Sequence, residues 1–395
     1  MKYESSGRCK RFAFGRNWQR FLESGQLSER LASARNELLG SLRLATLAGK
    51  RFLDIGSGSG IHSLAAFQAG AERIVSFDYD RDSVAATRKL HALSGSPANW
   101  SVLSGSVLDA DFMRSLEPAD VVYSWGVLHH TGDVWSALRN AAVPLKPDGV
   151  FLIALYSLTA AHAITLGGDP GPEHWLRRKR QYVAARSWLH PFMEARCVWE
   201  KHLAAHARTP AGLWAALGRL RGKIRDYGAR GMSFWVDNRD WIGGWPMEYV
   251  RERDCLLFCR DELGLEPLWL KTGRANTEFG FRPVDCGNYW DAILARRERR
   301  QINPPFEHLG GHMYSAAVPP GTVRGSGEEL RICLLYEDAA LLDYPDAYSN
   351  AIESFGLGRY RHEAGRCCFS ASDNSDPNSN GRVYTVVLEP AQSTG

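Results

Sequence analysis

Short apolar runs alternate with amphipathic stretches between residues 52 and 156, and this alternation predicts the fold. Five runs have the length and composition of buried strands: 52–56, 73–78, 100–104, 121–124 and 150–156. Apolar residues at helical spacing follow three of these runs, at 61–69, 82–93 and 134–142. Strands that alternate regularly with helices form a parallel sheet covered on both faces. The pattern therefore predicts an α/β fold with a mostly parallel sheet.

The first predicted strand ends in a glycine-rich turn, Asp54-Ile55-Gly56-Ser57-Gly58-Ser59-Gly60. Glycines at alternate positions let the backbone turn sharply and approach a ligand closely. The second strand ends in Asp78, 22 residues beyond Gly56, which is the distance at which a βαβ unit brings a carboxylate to a ribose. A G-x-G-x-x-G dinucleotide motif would need glycine where this chain has Ile61. We therefore expect a nucleotide pocket that need not hold a dinucleotide.

The acid within strand one and the acid that ends strand two resemble the first motifs of class I S-adenosylmethionine (SAM)-dependent methyltransferases. The resemblance implies SAM as the cofactor, with its methionine part on Gly56, Gly58 and Gly60 and its ammonium group near Asp54. It also implies that Asp78, followed by Tyr79, binds the ribose. Contacts to adenine are expected from Ser106 and the Val107 amide, in the turn after strand three.

An N-terminal segment that includes Trp18 is expected either to pack on the sheet as a helix or to form part of a lid over the cofactor. The lid is implied by the same resemblance.

The stretch after strand four, Ser124-Trp125-Gly126-Val127-Leu128-His129-His130, resembles a motif of small-molecule methyltransferases. Pro147-Asp148-Gly149, before strand five, is a further match. Strand ends at the carboxyl edge of such a sheet face the ligand crevice. Trp125 could offer its ring to the cationic sulfonium. His129 is the first candidate for a general base because histidine titrates near neutrality, although a structural role is open for both histidines.

The closing helix (250–263) and hairpin (266–272 and 277–283) of the family come late, so residues 157–249 are predicted to form an inserted cap. The net charge of the chain is +4, but residues 157–250 hold 14 Lys and Arg against 8 Asp and Glu, and 7 of the 13 tryptophans. The helical spacing of Trp188, Phe192, Trp199 and Leu203 predicts that their side chains form the core of this cap.

The basic run at 177–180 is either a solvated helix face or a set of anion contacts. Asp240 and Glu248 flank a Gly-Gly loop and are the second candidates for the base.

The rest of the chain divides by composition into three parts. Residues 1–50 are predicted to be a helical segment. Residues 250–300 are predicted to complete the core and to continue as a charged helix from Asn288 to Arg300. Residues 301–395 are predicted to form a β-rich domain. The eight cysteines have no metal-ligand spacing, so no metal site is predicted. No apolar run approaches the roughly 20 residues of a membrane span. The start of the chain lacks the apolar core of a signal peptide, which favours the cytoplasm.

The sequence thus predicts a SAM-dependent methyltransferase with a Rossmann-like, seven-stranded, mostly parallel sheet. The expected partner is a small-molecule acceptor, methylated on oxygen or nitrogen, and the cationic cap favours an anionic one. An RNA methyltransferase that uses the basic insertion, a C-methyltransferase and a noncatalytic nucleotide-binding protein are the alternatives. No Asn/Asp-Pro-Pro-aromatic tetrapeptide follows strand four, which counts against the DNA-amino type. Neither nucleic acid nor a membrane is the expected partner, and a homodimer stays open.

Overall fold

The computed structural model describes residues 27–42, 44–229, 234–273, 276–284, 297–318, 333–363 and 365–388. At its centre lies a seven-stranded sheet in the order β3-β2-β1-β4-β5-β7-β6. Its strands are β1 Arg51–Ile55, β2 Arg73–Asp78, β3 Trp100–Ser104, β4 Ala119–Trp125, β5 Leu145–Tyr156, β6 Leu265–Thr272 and β7 Asn276–Pro283. Strands β1 to β5 are parallel, and β7 runs antiparallel to both of its neighbours. The strand order reverses between β1 and β4, where an open α/β sheet forms its ligand crevice.

Helices cover both faces of this sheet. In chain order the helices are α1 Leu27–Leu42, α2 Ile61–Gln68, α3 Arg81–Leu93, α4 Ala110–Ser115, α5 Val134–Ala142, α6 Leu158–Thr165, α7 Pro172–Ala184, α8 His190–His202, α9 Pro210–Ala229, α10 Phe234–Gly243, α11 Glu252–Leu263 and α12 Ser349–Phe355. Apolar residues of α1, α2 and α3 form one buried cluster with the sheet, and those of α4, α5 and α11 form another on the opposite face. The predicted fold class is confirmed.

The insertion after β5 contains helices α6 to α10. Its two ends are joined, since the Val250 N–H donates to the Tyr156 carbonyl at 2.9 Å and the Leu158 N–H donates to the Val250 carbonyl at 3.0 Å. Both ends therefore lie at the carboxyl end of β5, beside the crevice.

The predicted core of the insertion is wrong for three of its four residues. Trp188, Phe192 and Trp199 are 63%, 70% and 44% exposed, and Leu203 alone of the four is buried. The buried residues of α8 are Glu194, Cys197 and Val198, so the helix turns its aromatic stripe outward. The buried cluster of the insertion consists of Trp175, Tyr182, Cys197 and Ile242. Spacing identified the helix, but apolar character did not identify its buried face.

The C-terminal part contains two four-stranded antiparallel sheets, in the orders β13-β14-β10-β9 and β12-β11-β15-β8. The strands are β8 Glu298–Ile302, β9 Glu307–Gly310, β10 Met313–Ala317, β11 Cys333–Glu337, β12 Ala340–Leu341, β13 Tyr360–Glu363, β14 Arg366–Phe369 and β15 Tyr384–Leu388. The helix predicted up to Arg300 is wrong over residues 298–300, which belong to β8; residues 285–296 lie outside the described residues. Strand β8 pairs with β15 at the edge of its sheet, where charged side chains such as Arg299 reach solvent.

Buried apolar residues of the C-terminal part, Leu334, Leu341 and Val387, belong to the core cluster, and ion pairs add to this contact. Asp343 accepts from Arg251 at 3.1 Å and from Arg253 at 2.7 Å. Among the helices that are described, none is long and apolar enough to cross a membrane.

Candidate functional site

The loop between β1 and α2 is built from glycines with left-handed backbone angles. Gly56, Gly58 and Gly60 have φ values of +76°, +56° and +81°. A Cβ atom on Gly56 would lie 2.5 Å from both γ carbons of Val127, in the loop after β4. The left-handed backbone angle and this contact together allow only glycine at position 56. The β1 loop and the β4 loop therefore pack directly against each other at the crevice.

Helix α3 fixes the other side of the glycine loop through Thr87. The Thr87 hydroxyl donates to the Gly58 carbonyl at 3.1 Å and lies 2.9 Å from the Ser57 hydroxyl. A Cβ atom on Gly60 would approach the Thr87 methyl group to 2.9 Å. Nothing in the sequence near Thr87 signals this role, because the contact depends on how α3 packs.

Asp54 lies at the carboxyl end of β1 and is only 2% exposed. A chain of hydrogen bonds leads to it from the Trp100 indole N–H, through the hydroxyls of Ser76 and Ser63, to Asp54 Oδ2 at 2.6 Å. An ionised carboxylate can only accept, so Ser63 donates its single hydroxyl proton to Asp54 and the Ser76 hydroxyl must donate to Ser63. Burial is the main cause that raises the pKa of Asp54 to about 7, and the nearby Asp78 adds to it.

Asp78 lies at the carboxyl end of β2, where its oxygens accept from the Gly58 N–H at 3.0 Å and from the Asp80 N–H at 2.8 Å. Burial raises the pKa of Asp78 to about 6. The following residue, Tyr79, has an exposed side chain. Asp78 thus ties the second strand to the glycine loop.

These two carboxyl groups allow a test of whether the site suits SAM. Within the described residues, neither Asp54 nor Asp78 forms an ion pair with a basic side chain. A ligand with cationic groups and hydroxyl donors would complement them, whereas Asp54, close to the glycine loop, would repel the phosphates of a dinucleotide. The residues present therefore fit SAM, in which Asp54 and the glycine loop would hold the methionine part and Asp78 the ribose.

The turn predicted to contact adenine uses its side chains locally. The Val107 side chain is buried in the core, and its carbonyl accepts from the Asn140 amide at 2.9 Å. The Ser106 hydroxyl accepts from the Leu108 N–H at 3.2 Å. Contact of these two residues with adenine stays a prediction.

The end of β4 carries aromatic residues toward the crevice. Trp125 is 47% exposed, and its indole lies close enough to Glu278 of β7 to affect the pKa of that carboxyl group. His62, in the first turn of α2, lies 4.9 Å from the Tyr123 ring and 6.2 Å from the Trp125 ring. Burial lowers the pKa of His62 to about 4, so this ring is neutral. The sequence analysis did not single out His62, although it follows the glycine loop directly.

His129 is fully buried in the short 3-10 turn after β4. Its Nδ1 accepts from the Tyr156 N–H at 3.3 Å, so the neutral ring carries its proton on Nε2. Nε2 has no hydrogen-bond partner within the described residues. Burial, and then the charges of His130 and Lys179, hold the pKa of His129 well below its usual value. The ring therefore presents a hydrogen-bond donor, a geometry that favours donation over the predicted base role.

The returning end of the insertion is hydrogen-bonded to this turn. The Glu248 N–H donates to the His129 carbonyl at 2.9 Å, and His130 Nδ1 lies 2.9 Å from the Pro246 carbonyl. The Glu248 carboxylate accepts from the Val134 N–H at 3.0 Å and so caps α5. Asp240 belongs to α10, but its side chain, like all of Trp18, lies outside the described residues. The structure thus brings Glu248 beside His129, where it is engaged with a helix end.

Comparison with known proteins adds to this geometry. Residues 23–200 match a family model described as a methyltransferase domain. The match includes the glycine loop, both acids and the His129 turn. Residues 23–200 of this chain are thus similar to a methyltransferase domain. SAM, the cofactor that this similarity implies, is a ligand that the carboxyl groups of Asp54 and Asp78 would complement.

Curated relatives of this chain include enzymes named for different acceptors. Ubiquinone biosynthesis O-methyltransferase of Paramagnetospirillum magneticum is 35% identical over 130 residues, which are 32% of this chain and 49% of that protein. tRNA U34 carboxymethyltransferase of Methylococcus capsulatus is 30% identical over 110 residues, which are 28% of this chain and 33% of that protein. The chain thus spans between a third and a half of the length of these relatives.

Solved structures that resemble this chain include magnesium protoporphyrin IX methyltransferase from Synechocystis with bound SAH (S-adenosylhomocysteine). That likeness has a TM-score of 0.36 at 12% identity and covers 71% of this chain and 90% of the other. The mitomycin 7-O-methyltransferase structure has a TM-score of 0.38 at 14% identity and covers 69% of this chain and 61% of the other.

Proposed function

We propose that this chain is a SAM-dependent methyltransferase, and that it transfers the methyl group of SAM to an oxygen or nitrogen atom of a small-molecule acceptor. The observation that supports this most is the junction of the β4 turn with the cap, where the Glu248 N–H donates to the His129 carbonyl. The same turn carries His129 Nε2, a buried donor without a partner in the described residues. When bound, SAM supplies a methyl group on a cationic sulfur that is already a good leaving group.

The chain then has to align the acceptor and exclude water. We assign SAM binding to Asp54, to the loop of Gly56, Gly58 and Gly60, and to Asp78, with Tyr79, Ser106, Val107, Trp125 and Trp18 as further contacts predicted from the sequence. The insertion, tied down at both ends beside β5, supplies the cover over the acceptor. A closed cover on the carboxyl edge strengthens each polar contact beneath it, because little water competes.

His129 has a defined role in this proposal. Its Nε2–H donates to the acceptor and orients it, while Tyr156 holds the ring by its N–H and by a stacking contact with a centroid distance of 4.2 Å. Glu248 positions the turn and caps α5. Asp240 remains the candidate from the sequence for taking a proton where the acceptor must lose one.

The basic run at 177–180 argues against nucleic acid as the acceptor. Lys179 is 1% exposed, and Arg178 pairs with Glu200, so two of these four cations are turned away from solvent. A phosphate-binding track needs several accessible cations. RNA affinity that falls about 10³-fold between 50 and 200 mM salt would reverse this choice.

The proposal is tested by incubating the protein with methyl-labelled SAM and a panel of acidic and neutral small molecules. His129→Ala should lower turnover of any acceptor found by about 10²-fold or more, because an orienting buried donor is lost. His206→Ala, on the exposed surface of the cap, is the matched control and should keep full turnover. Full activity of His129→Ala, or labelling of RNA alone, would contradict the proposal.

A further inference from the structure

The C-terminal part of the chain contacts the inserted cap where the insertion leaves the core. Arg359, next to β13, donates from Nη2 to Nδ1 of His162 at 2.8 Å. His162 belongs to α6, the first helix of the insertion. Its ring also lies 6.0 Å from the ring of Tyr344 and 6.3 Å from that of Phe355, both in the C-terminal part. One side chain of the cap is thus held by the C-terminal part.

The C-terminal part also holds the chain where the insertion returns. Asp343 accepts from the side chains of Arg251 and Arg253, and the Arg253 N–H donates to the Asp343 carbonyl at 3.3 Å. Arg251 directly follows Val250, whose backbone joins the two ends of the insertion. The C-terminal part therefore contacts the chain on both sides of the junction between core and cap.

The contact between Arg359 and His162 requires a neutral histidine. A guanidinium group has N–H donors and no acceptor, so Nδ1 of His162 must carry a lone pair. A proton on Nδ1 would remove this acceptor and would put a second cation against Arg359, which is only 3% exposed. Like charges repel each other strongly where little water screens them. The hydrogen bond can therefore exist only while His162 is uncharged.

The surroundings of Arg359 offer little to replace this acceptor. Its Nη1 donates to the Gly356 carbonyl at 2.9 Å, and its Nε has no hydrogen-bond partner within the described residues. Two acids act on its charge, but both are engaged elsewhere. Glu252 accepts from the Thr277 hydroxyl at 3.0 Å, and Asp343 accepts from the two arginines named above. Loss of the histidine acceptor would leave a buried cation with fewer partners.

The groups that face His162 also disfavour its proton. Besides Arg359, the charge of Arg251 acts on the ring, and Tyr344 presents an uncharged ring to it. Burial, and then these two arginine charges, lower the pKa of His162. A released His162 in water would have its ordinary pKa of about 6.5. The released state therefore binds the proton more tightly, so the contact is stable above about pH 6.5 and is lost as the pH falls below it.

Building on the proposed function, in which the insertion covers the acceptor, we propose that Arg359 and His162 form a pH-sensitive latch between the C-terminal part and the cap. The latch is closed while His162 is neutral and opens when His162 takes up a proton. Release is local to the start of the insertion, because Asp343 holds the return end through other contacts. Acid therefore loosens the cover over the acceptor site.

Three variants distinguish a latch from a merely structural contact. His162→Asn puts an amide oxygen in the place of Nδ1, so the acceptor stays and the titration is lost. His162→Phe keeps a ring and removes the acceptor at every pH. His206→Asn changes an exposed histidine of the cap and is the matched control.

The experiment measures amide hydrogen exchange of residues 158–165 by mass spectrometry at pH 7.5 and pH 5.5, corrected for the intrinsic effect of pH on exchange. At pH 5.5 a released His162 is about tenfold more often protonated than neutral, so α6 of the wild type should open about tenfold more often than at pH 7.5. His206→Asn should match the wild type. His162→Asn should be equally protected at both pH values, and His162→Phe should be poorly protected at both.

Three results would each overturn the inference: no loss of protection in the wild type at pH 5.5, an equal loss in His162→Asn, or wild-type protection in His162→Phe at pH 7.5. If His162→Phe does not fold, the comparison of the wild type with His162→Asn decides alone.

The exchange measurement uses neither cofactor nor acceptor, so its outcome is distinguishable from that of the proposed function. Calorimetry of the wild type with SAH supplies the second readout. SAH binding without a pH effect on α6 would leave the proposed function standing and remove the latch. Failure to bind SAH would instead count against the proposed function.

Discussion

Asp54→Asn should change how the stability of the ligand-free protein depends on pH. The side chain is 2% exposed, and burial raises its pKa from 3.8 to about 7. A shift of about three pKa units corresponds to about 4 kcal/mol between the two protonation states. The folded state binds this proton more tightly than the unfolded chain, so the free energy of unfolding falls as pH rises through the interval from about 4 to about 7. The buried Asp54 carboxylate therefore lowers the free energy of unfolding, whereas the neutral amide of the variant would not.

The expected magnitude follows from those two pKa values. Between pH 5 and pH 8 the wild type should lose about 2–3 kcal/mol relative to Asp54→Asn. The variant should be the more stable protein at pH 8, while its affinity for SAH falls because the SAH ammonium loses a carboxylate partner. Urea unfolding of both proteins at several pH values measures the difference, and subtracting the curves removes the other titrating groups. Parallel curves would show that Asp54 ionises normally and would refute the reasoning from burial.

Two further substitutions test the cofactor pocket. Asp78→Ala should weaken SAH binding by about 1–3 kcal/mol, because charge-assisted hydrogen bonds are lost. The affinity of the wild type for SAH should also fall as the pH is lowered through about 6, where the Asp78 carboxyl group takes up its proton. Calorimetry that shows unchanged affinity would place Asp78 outside the pocket. Gly56→Ala should cost about 1–3 kcal/mol more in urea unfolding than Gly95→Ala, since both have positive φ but only Gly56 would clash with Val127. Equal costs would mean that the β1 and β4 loops do not pack as described.

The parallel half of the fold could be predicted from the sequence because its signals are local. Strands β2 and β3 begin and end where the apolar runs do, at Arg73–Asp78 and Trp100–Ser104. Alternation of strands and helices then fixes the connections of a parallel sheet. The two acids at strand ends were found for the same reason, because a residue at the end of a parallel strand has a known position.

The insertion could not be predicted in the same detail, because its packing depends on contacts between distant helices. Lys179 stands in a run of four basic residues that looks like a solvated helix face, yet it is buried against Trp241. Phe192 is the opposite case, because it is apolar and at helical spacing, yet its side chain is exposed. For His129, residue type and position suggested a base, while the donor geometry depends on one backbone N–H, that of Tyr156.

The central claim is that the carboxyl groups of Asp54 and Asp78, which have no cationic partners in the described residues, select a nucleoside with an ammonium group over an anionic dinucleotide. Calorimetric titration of the wild type with SAH and, separately, with NAD tests this directly. We predict SAH binding with a dissociation constant of about 1 μM, or about −8 kcal/mol, and no heat of binding with NAD. Tight NAD binding with none for SAH would contradict the account.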